Sequence, residues 1–184
     1  MIATTKLTYA DYAQFPDDDG NRYEIIDGVM YKSSLPGEAH QRILRGFVDQ
    51  LGAHVKEREL GDVFSAPYTV ILGPHDIVVP DCLFISQERS GLVGPTAIDG
   101  APDLCVEIAS PATQRRDRTL KADRYALLGV AEYWIVDPAT RRVETFALER
   151  GAYLPLGVFG KNAPVTSYVL PDWQPPASVF FPNT

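Results

Sequence analysis

The chain has 184 residues, 45% of them hydrophobic and 22% charged, within the range of one globular domain of roughly 100–200 residues. That composition excludes disorder, a collagen-like repeat and a disulfide scaffold. Seventeen basic against 24 acidic residues give a net charge of −7, the reverse of the basic footprint by which a protein grips DNA through counterion release. Any polyanion must therefore be met by a local cluster of cations.

Neither repeats nor an interdomain linker interrupt the sequence, so one domain is expected over residues 1–184. No stretch approaches 18 apolar residues, which argues against a membrane span. Met1 to Tyr12 shows no apolar run behind a basic start, so no secretory signal is expected. The two cysteines, Cys82 and Cys105, lie within apolar runs and read as reduced core residues of a cytoplasmic protein. Three histidines and two separated cysteines make a structural zinc site a poor reading. Asp17, Asp18 and Asp19 read as a solvated loop.

The first element is a hairpin: Arg22 to Ile26, the turn Asp27-Gly28, then Val29 to Lys32. Asp-Gly marks the turn because both positions need positive φ. Glu24 is then a carboxylate within a strand. From Glu38 to Glu59, Ile43, Leu44, Phe47, Val48, Leu51 and Val55 recur at helical spacing, between Pro36-Gly37 and Gly61. His40 shares that inward stripe, as a satisfied partner at the core's edge or as a ligand.

Two β-rich runs follow, Val63 to Leu72 and Ile77 to Ser86, joined by Gly73-Pro74-His75-Asp76. Pro80 sets the second at a sheet edge or in a bulge. Residues 87–102 read as an exposed loop. Leu104 to Ala109 is a third strand, and Thr113 to Leu128 a second helix, closed by Gly129. Glu132 to Val136 and Arg142 to Leu148 are further strands around Asp137-Pro138-Ala139-Thr140. The proline-rich remainder reads as short strands and irregular covering segments. This order predicts an α/β fold, a mixed sheet between two helices. No Gly-rich phosphate loop follows a strand, which argues against a nucleotide-binding doubly wound fold.

Asp81 and Glu107 interrupt strands that otherwise belong in the core. An unpaired carboxylate costs several kcal/mol to remove from water, so each needs a cation, a hydrogen-bond set or a metal. Period-two alternation puts Cys105, Glu107 and Ala109 on one face and Leu104, Val106 and Ile108 on the other. If the two strands are neighbours, the acids converge. Two carboxylates with a backbone carbonyl suit Mg²⁺, which takes hard oxygen ligands and retains waters. The other reading makes each acid a strand-end residue paired with an arginine. On the second helix, Asp117, Lys121, Arg124 and Leu128 form a stripe, and Asp117 with Lys121 makes an i, i+4 surface pair. Arg115, Arg116, Arg118, Lys121 and Arg124 make this the most basic short segment of the chain.

Taken in order, Arg22-Tyr23-Glu24-Ile25-Ile26-Asp27-Gly28, His40 opening a helix, Val79-Pro80-Asp81 and Pro102-Asp103-Leu104-Cys105-Val106-Glu107-Ile108-Ala109-Ser110-Pro111 form a recognisable series. Arg116-Asp117 with Lys121 and Tyr125, and Gly129-Val130-Ala131-Glu132-Tyr133-Trp134-Ile135-Val136-Asp137-Pro138, complete it. The series resembles the Uma-two family of predicted restriction endonucleases, from about Tyr9 to Leu148. The resemblance implies a PD-(D/E)xK nuclease fold, a restriction-endonuclease-like mixed β-sheet flanked by helices and carrying an N-terminal β-hairpin. It implies Asp81 and Glu107 as metal-binding acids, with the carbonyl of Ile108, around Mg²⁺ or a substituting Mn²⁺, and DNA as substrate. The usual lysine two residues after the glutamate is replaced by Ala109, and Lys121 on the following helix is the match. Glu24 and His40 match family positions near the site: Glu24 to hold a second ion or the water, His40 to support a ligand. A homodimer is one arrangement by which so small an acidic domain would span a duplex.

Two other functions fit the same residues. One is a nuclease-fold module that binds DNA or protein with little turnover. The other is a metal-free hydrolase using the acid pair, with Tyr133, Trp134, Tyr153 and Trp173 lining a sugar cleft.

Overall fold

The computed structural model describes residues 5–16 and 19–181; Asp17 and Asp18 lie outside the described residues. A short helix, α1 (Tyr9–Tyr12), precedes the hairpin β1 (Asn21–Ile26) and β2 (Val29–Ser34). Asp27 and Gly28 take φ of 52° and 78°, the left-handed pair that the dipeptide supplies. Asp19 accepts hydrogen bonds from Tyr23 and Lys32 and so clips the open end of this hairpin.

Helix α2 (Glu38–Glu57) buries the predicted stripe, Ile43, Leu44, Phe47, Leu51 and Val55, with His54 beside it. The next two β-rich runs are not two long strands but four short ones: β3 (Gly61–Ser65), β4 (Thr69–Gly73), β5 (Asp76–Val78) and β6 (Cys82–Ser86). Pro67 and Pro80 lack the N–H that a ladder needs, and the chain leaves one sheet for the other at each. β4 therefore pairs with β5, while β3 pairs with β6. The segment expected as an exposed loop holds a 3₁₀ turn, Gln87–Leu92, and a strand β7 (Ala97–Asp99) that runs parallel to β4. Ile98, fully buried, anchors it.

β8 (Leu104–Ile108) leads into a continuous helical run: α3 (Gln114–Arg116), a π-helical turn (Asp117–Lys121) and α4 (Ala122–Leu127). At its end Gly129, φ 87°, and Val130 donate to the carbonyls of Ala126 and Tyr125, a Schellman closure. β9 (Glu132–Asp137), β10 (Arg142–Glu149), a longer β11 (Ala152–Gly160) and a 3₁₀ turn (Ala177–Phe180) complete the chain.

The mixed α/β class holds, but the strands are shared between two sheets rather than gathered in one. Five strands run β2-β1-β5-β4-β7 and six run β11-β10-β9-β8-β6-β3. β8 lies parallel to β9 and antiparallel to β6, which makes the larger sheet mixed. Its alternation separates two cores, as period two requires. Leu104, Val106 and Ile108 face Phe47, Leu51 and the C-terminal Phe180; Cys105 and Ala109 face Ile26, Val70 and Val78 across the inter-sheet layer. Trp134 and Trp173 fill the first of these cores, stacking at 5.6 Å, whereas Tyr133 and Tyr153 line a cavity on the other side of the larger sheet. Both cysteines are buried free thiols. No helix among the described residues is long and apolar enough to cross a membrane.

Candidate active site

Two strands and the break between two others deliver three buried carboxylates to the rim of the inter-sheet layer. Glu24 projects from β1 on the face of Ile26. Asp81 stands at the break between β5 and β6, where Pro80 frees the chain from the ladder. Glu107 projects from β8 on the face of Cys105. The antiparallel register Cys82↔Val106 brings Asp81 against the end of β8, and Ile108 N–H donates to Asp81 Oδ2 at 2.8 Å.

Each acid is held by its own partners. Asp81 Oδ1 pairs with Arg22 Nη1 at 2.8 Å, and Oδ2 lies 3.0 Å from His40 Nε2 in the first turn of α2. Glu107 Oε1 accepts from both Lys121 Nζ, at 2.6 Å, and Tyr125 Oη, at 2.7 Å. Placing both donors on one oxygen fixes the carboxylate and leaves Oε2 for a ligand. Glu24 Oε1 accepts from Val79 N–H at 3.0 Å and Lys121 Nζ at 2.8 Å, and Oε2 is 3.4 Å from Arg116 Nη2.

Lys121 reaches the acids because the helical run widens to a π turn at that point. A π turn inserts one residue and rotates the side chains after it, and such turns recur at functional sites. The expected surface pair of Asp117 with Lys121 is thereby corrected. Both residues are 2% exposed, and the ion pairs of Lys121 are with Glu24 and Glu107. Two buried carboxylates draw the ammonium more strongly than one exposed acid would.

Burial opposes the charge on Asp81, but the hydrogen bond and charge of His40, together with Arg22, hold its carboxyl down at about 2. Glu107 goes the other way: burial, then the neighbouring charges of Asp81, Asp117 and Glu24, push it up to about 8 against the pull of Lys121. Lys121 is buried, which disfavours its charge, yet Glu107, Glu24 and Asp117 raise it above its ordinary value. Two neighbouring acids displaced in opposite directions are the pattern of a reactive centre.

A cavity of about 300 Å³ opens onto this cluster, lined by Arg22, Glu24, His40, Asp81, Glu107 and Lys121 among others, with Ile108 at its floor. All five residues singled out from sequence as catalytic therefore share one cavity. Arg22, Arg116 and the role of Tyr125 escaped sequence reasoning. Arg22 lies two residues before Glu24 on the same strand face, and Tyr125 four residues after Lys121, so spacing carried a signal for both.

The donor set suits a hard divalent cation. It consists of carboxylate oxygens, with neither thiolate nor a histidine cluster. Among the described residues no group of three or more histidine, cysteine, aspartate or glutamate side chains is placed to hold a metal ion. Two carboxylates with the remaining positions open match an ion that keeps several waters.

A crystal structure described as that of "a putative nuclease belonging to DUF820" from Anabaena variabilis superposes with a TM-score of 0.78 over 95% of this chain and 97% of that one, at 20% identity. No curated protein matches the chain. The Uma2 family model, described as "Putative restriction endonuclease", matches residues 9–179. Spanning nearly all of the described structure and every residue of the carboxylate cluster, that match shows that the chain belongs to the Uma2 family.

Proposed function

We propose that the protein is an endonuclease that hydrolyses DNA phosphodiester bonds with the help of Mg²⁺, for which Mn²⁺ can substitute. The observation that carries this reading is the meeting of three buried carboxylates and one buried ammonium at a single cavity. Asp81, Glu107 and the carbonyl of Ile108 would hold the ion. Bound there, it would supply a water of lowered pKa and neutralise charge on the phosphoryl oxygens.

The chain's own residues do the rest. His40 and Ile108 N–H fix Asp81 Oδ2, Arg22 holds its Oδ1, and Tyr125 with Lys121 fixes Glu107 Oε1, so both carboxylates are oriented before substrate arrives and Glu107 Oε2 is left for the ion. Lys121 Nζ has three protons, two of them spent on Glu107 and Glu24, and the third is available to orient a water or to donate to the scissile phosphate. Glu24, held by Val79 N–H, is placed to accept a proton from that water or to hold a second ion. The overall charge of −7 disfavours DNA, so affinity for it should depend on the divalent ion.

Plasmid cleavage in Mg²⁺ or Mn²⁺ tests the reading. Wild type should nick or linearise the plasmid and lose that activity in EDTA, and Asp81→Ala and Glu107→Ala should both be inactive. Cleavage that persists in both variants would sink it.

A further inference from the structure

Other arginines of the fold spend their donors in pairs. Arg118 places Nη1 and Nη2 on the two oxygens of Glu144, each at 2.6 Å. Arg124 uses Nε and Nη2 on Asp76. This is the fork geometry in which a guanidinium matches a carboxylate.

Two arginines of the cavity do otherwise. Arg22 makes both of its hydrogen bonds through Nη1, to Asp81 Oδ1 at 2.8 Å and to the carbonyl of Val79 at 3.4 Å. Nε and Nη2 take no part in these bonds. Arg116 meets Glu24 through Nη2 at 3.4 Å, and its Nε is buried without a hydrogen-bond partner among the described residues. Its guanidinium lies over the ring of Tyr31, 5.2 Å from the centroid, and Tyr31 is the cross-strand partner of Glu24. The ring holds the plane of Arg116 while leaving its edge unspent. Burying an unpaired donor costs about 1–3 kcal/mol, so the idle Nε of Arg116 calls for an acceptor that comes from outside.

Both side chains, 17% and 16% exposed, border the same cavity as the acids. An oxyanion with several oxygens in fixed geometry is the ligand that a pair of guanidinium edges suits, and phosphate does so bidentately.

We propose that Arg22 and Arg116 form a phosphate clamp that grips backbone phosphates of the DNA at the cavity of the carboxylate cluster. The inference rests on the reading of the cavity as a nuclease centre and adds to it the residues that hold the substrate. It also explains how a chain of net charge −7 meets a polyanion, since the cations that matter are inside the cavity rather than spread over the surface.

The test is the salt dependence of binding to a fluorescein-labelled duplex in Ca²⁺, without turnover. Each phosphate contact contributes about 0.9 to the slope of log K against log salt. Arg22→Gln and Arg116→Gln should each lower the slope by about that amount and weaken binding roughly tenfold. Arg22→Lys and Arg116→Lys should keep the slope. Arg58→Gln, at the far end of α2, should change nothing. A variant that folds poorly loses active protein but not slope, so the readout survives partial unfolding. Slopes equal to wild type in both Gln variants would overturn the clamp, even if wild type cleaves plasmid. A reduced slope in a protein that binds DNA but never cleaves it would keep the clamp and remove the hydrolytic reading.

Discussion

Lys121 Nζ lies 2.6 Å from Glu107 Oε1, and the contact is buried. The lysine also stands 2.8 Å from Glu24, so one ammonium joins the two sheets through an acid from each. A cation in this position is as much a part of the fold as of the site. Its removal should be felt by both.

Lys121→Met keeps most of the side-chain volume and leaves Glu24 and Glu107 facing each other without their shared counter-ion. Stripping one partner from a buried ion pair costs about 3–5 kcal/mol. The variant should unfold at lower denaturant by that amount. Adding Glu24→Gln should recover part of the loss. Urea denaturation of the single and double variants checks both, and a single-variant loss below about 1 kcal/mol would contradict the assignment of the lysine as the shared counter-ion.

Tyr125→Phe removes one hydroxyl from Glu107 Oε1 and nothing else, since the ring stays in the inter-sheet core. A hydrogen bond to a charged acceptor contributes about 1.5–3 kcal/mol, which sets the expected loss of stability. The larger effect should be on the ion. With one of its two donors gone, Glu107 is free to turn, and Mn²⁺ affinity measured by calorimetry without DNA should fall about tenfold or more. Unchanged affinity would mean that the hydroxyl does not orient the acid.

His54 offers a test of the core beneath α2. Burial, then the charge of Arg58, holds its imidazole below the ordinary value of 6.5, and its ring packs 6.0 Å from that of Trp173. A histidine with a depressed folded-state pKa contributes stability above its unfolded value and loses it as pH falls through the folded one. Thermal stability of wild type should therefore drop between about pH 6.5 and pH 5, and that of His54→Gln should drop less over the same interval. Parallel curves for the two proteins would show that His54 does not titrate against the fold.

The acids were legible in the sequence because a charged residue inside an unbroken apolar run has only a few physical explanations. Asp81 and Glu107 stood out on that ground, and the hairpin placed Glu24 in a strand. The position of Lys121 came only from family resemblance. Regular helical spacing put it on a surface stripe with Asp117, and nothing in composition announces the π turn that rotates it inward. The two sheets were hidden for a related reason: Pro80 read as a sheet edge or bulge and the run Val63 to Leu72 read as unbroken across Pro67, whereas each proline marks a change of sheet. β7 was missed because three residues are too few to show alternation. Arg22 and Arg116 stood in the family series, and Arg116 in the basic segment, but no role followed for either, since their burial depends on contacts distant in the chain.

A crystal of the protein soaked in Mn²⁺ and measured for anomalous scattering examines the central claim most directly. The account predicts density within about 2.2 Å of one carboxylate oxygen each from Asp81 and Glu107, close to the carbonyl of Ile108. Manganese found elsewhere, with Asp81 still closed onto Arg22 and His40 and Glu107 still bound only by Lys121 and Tyr125, would contradict it.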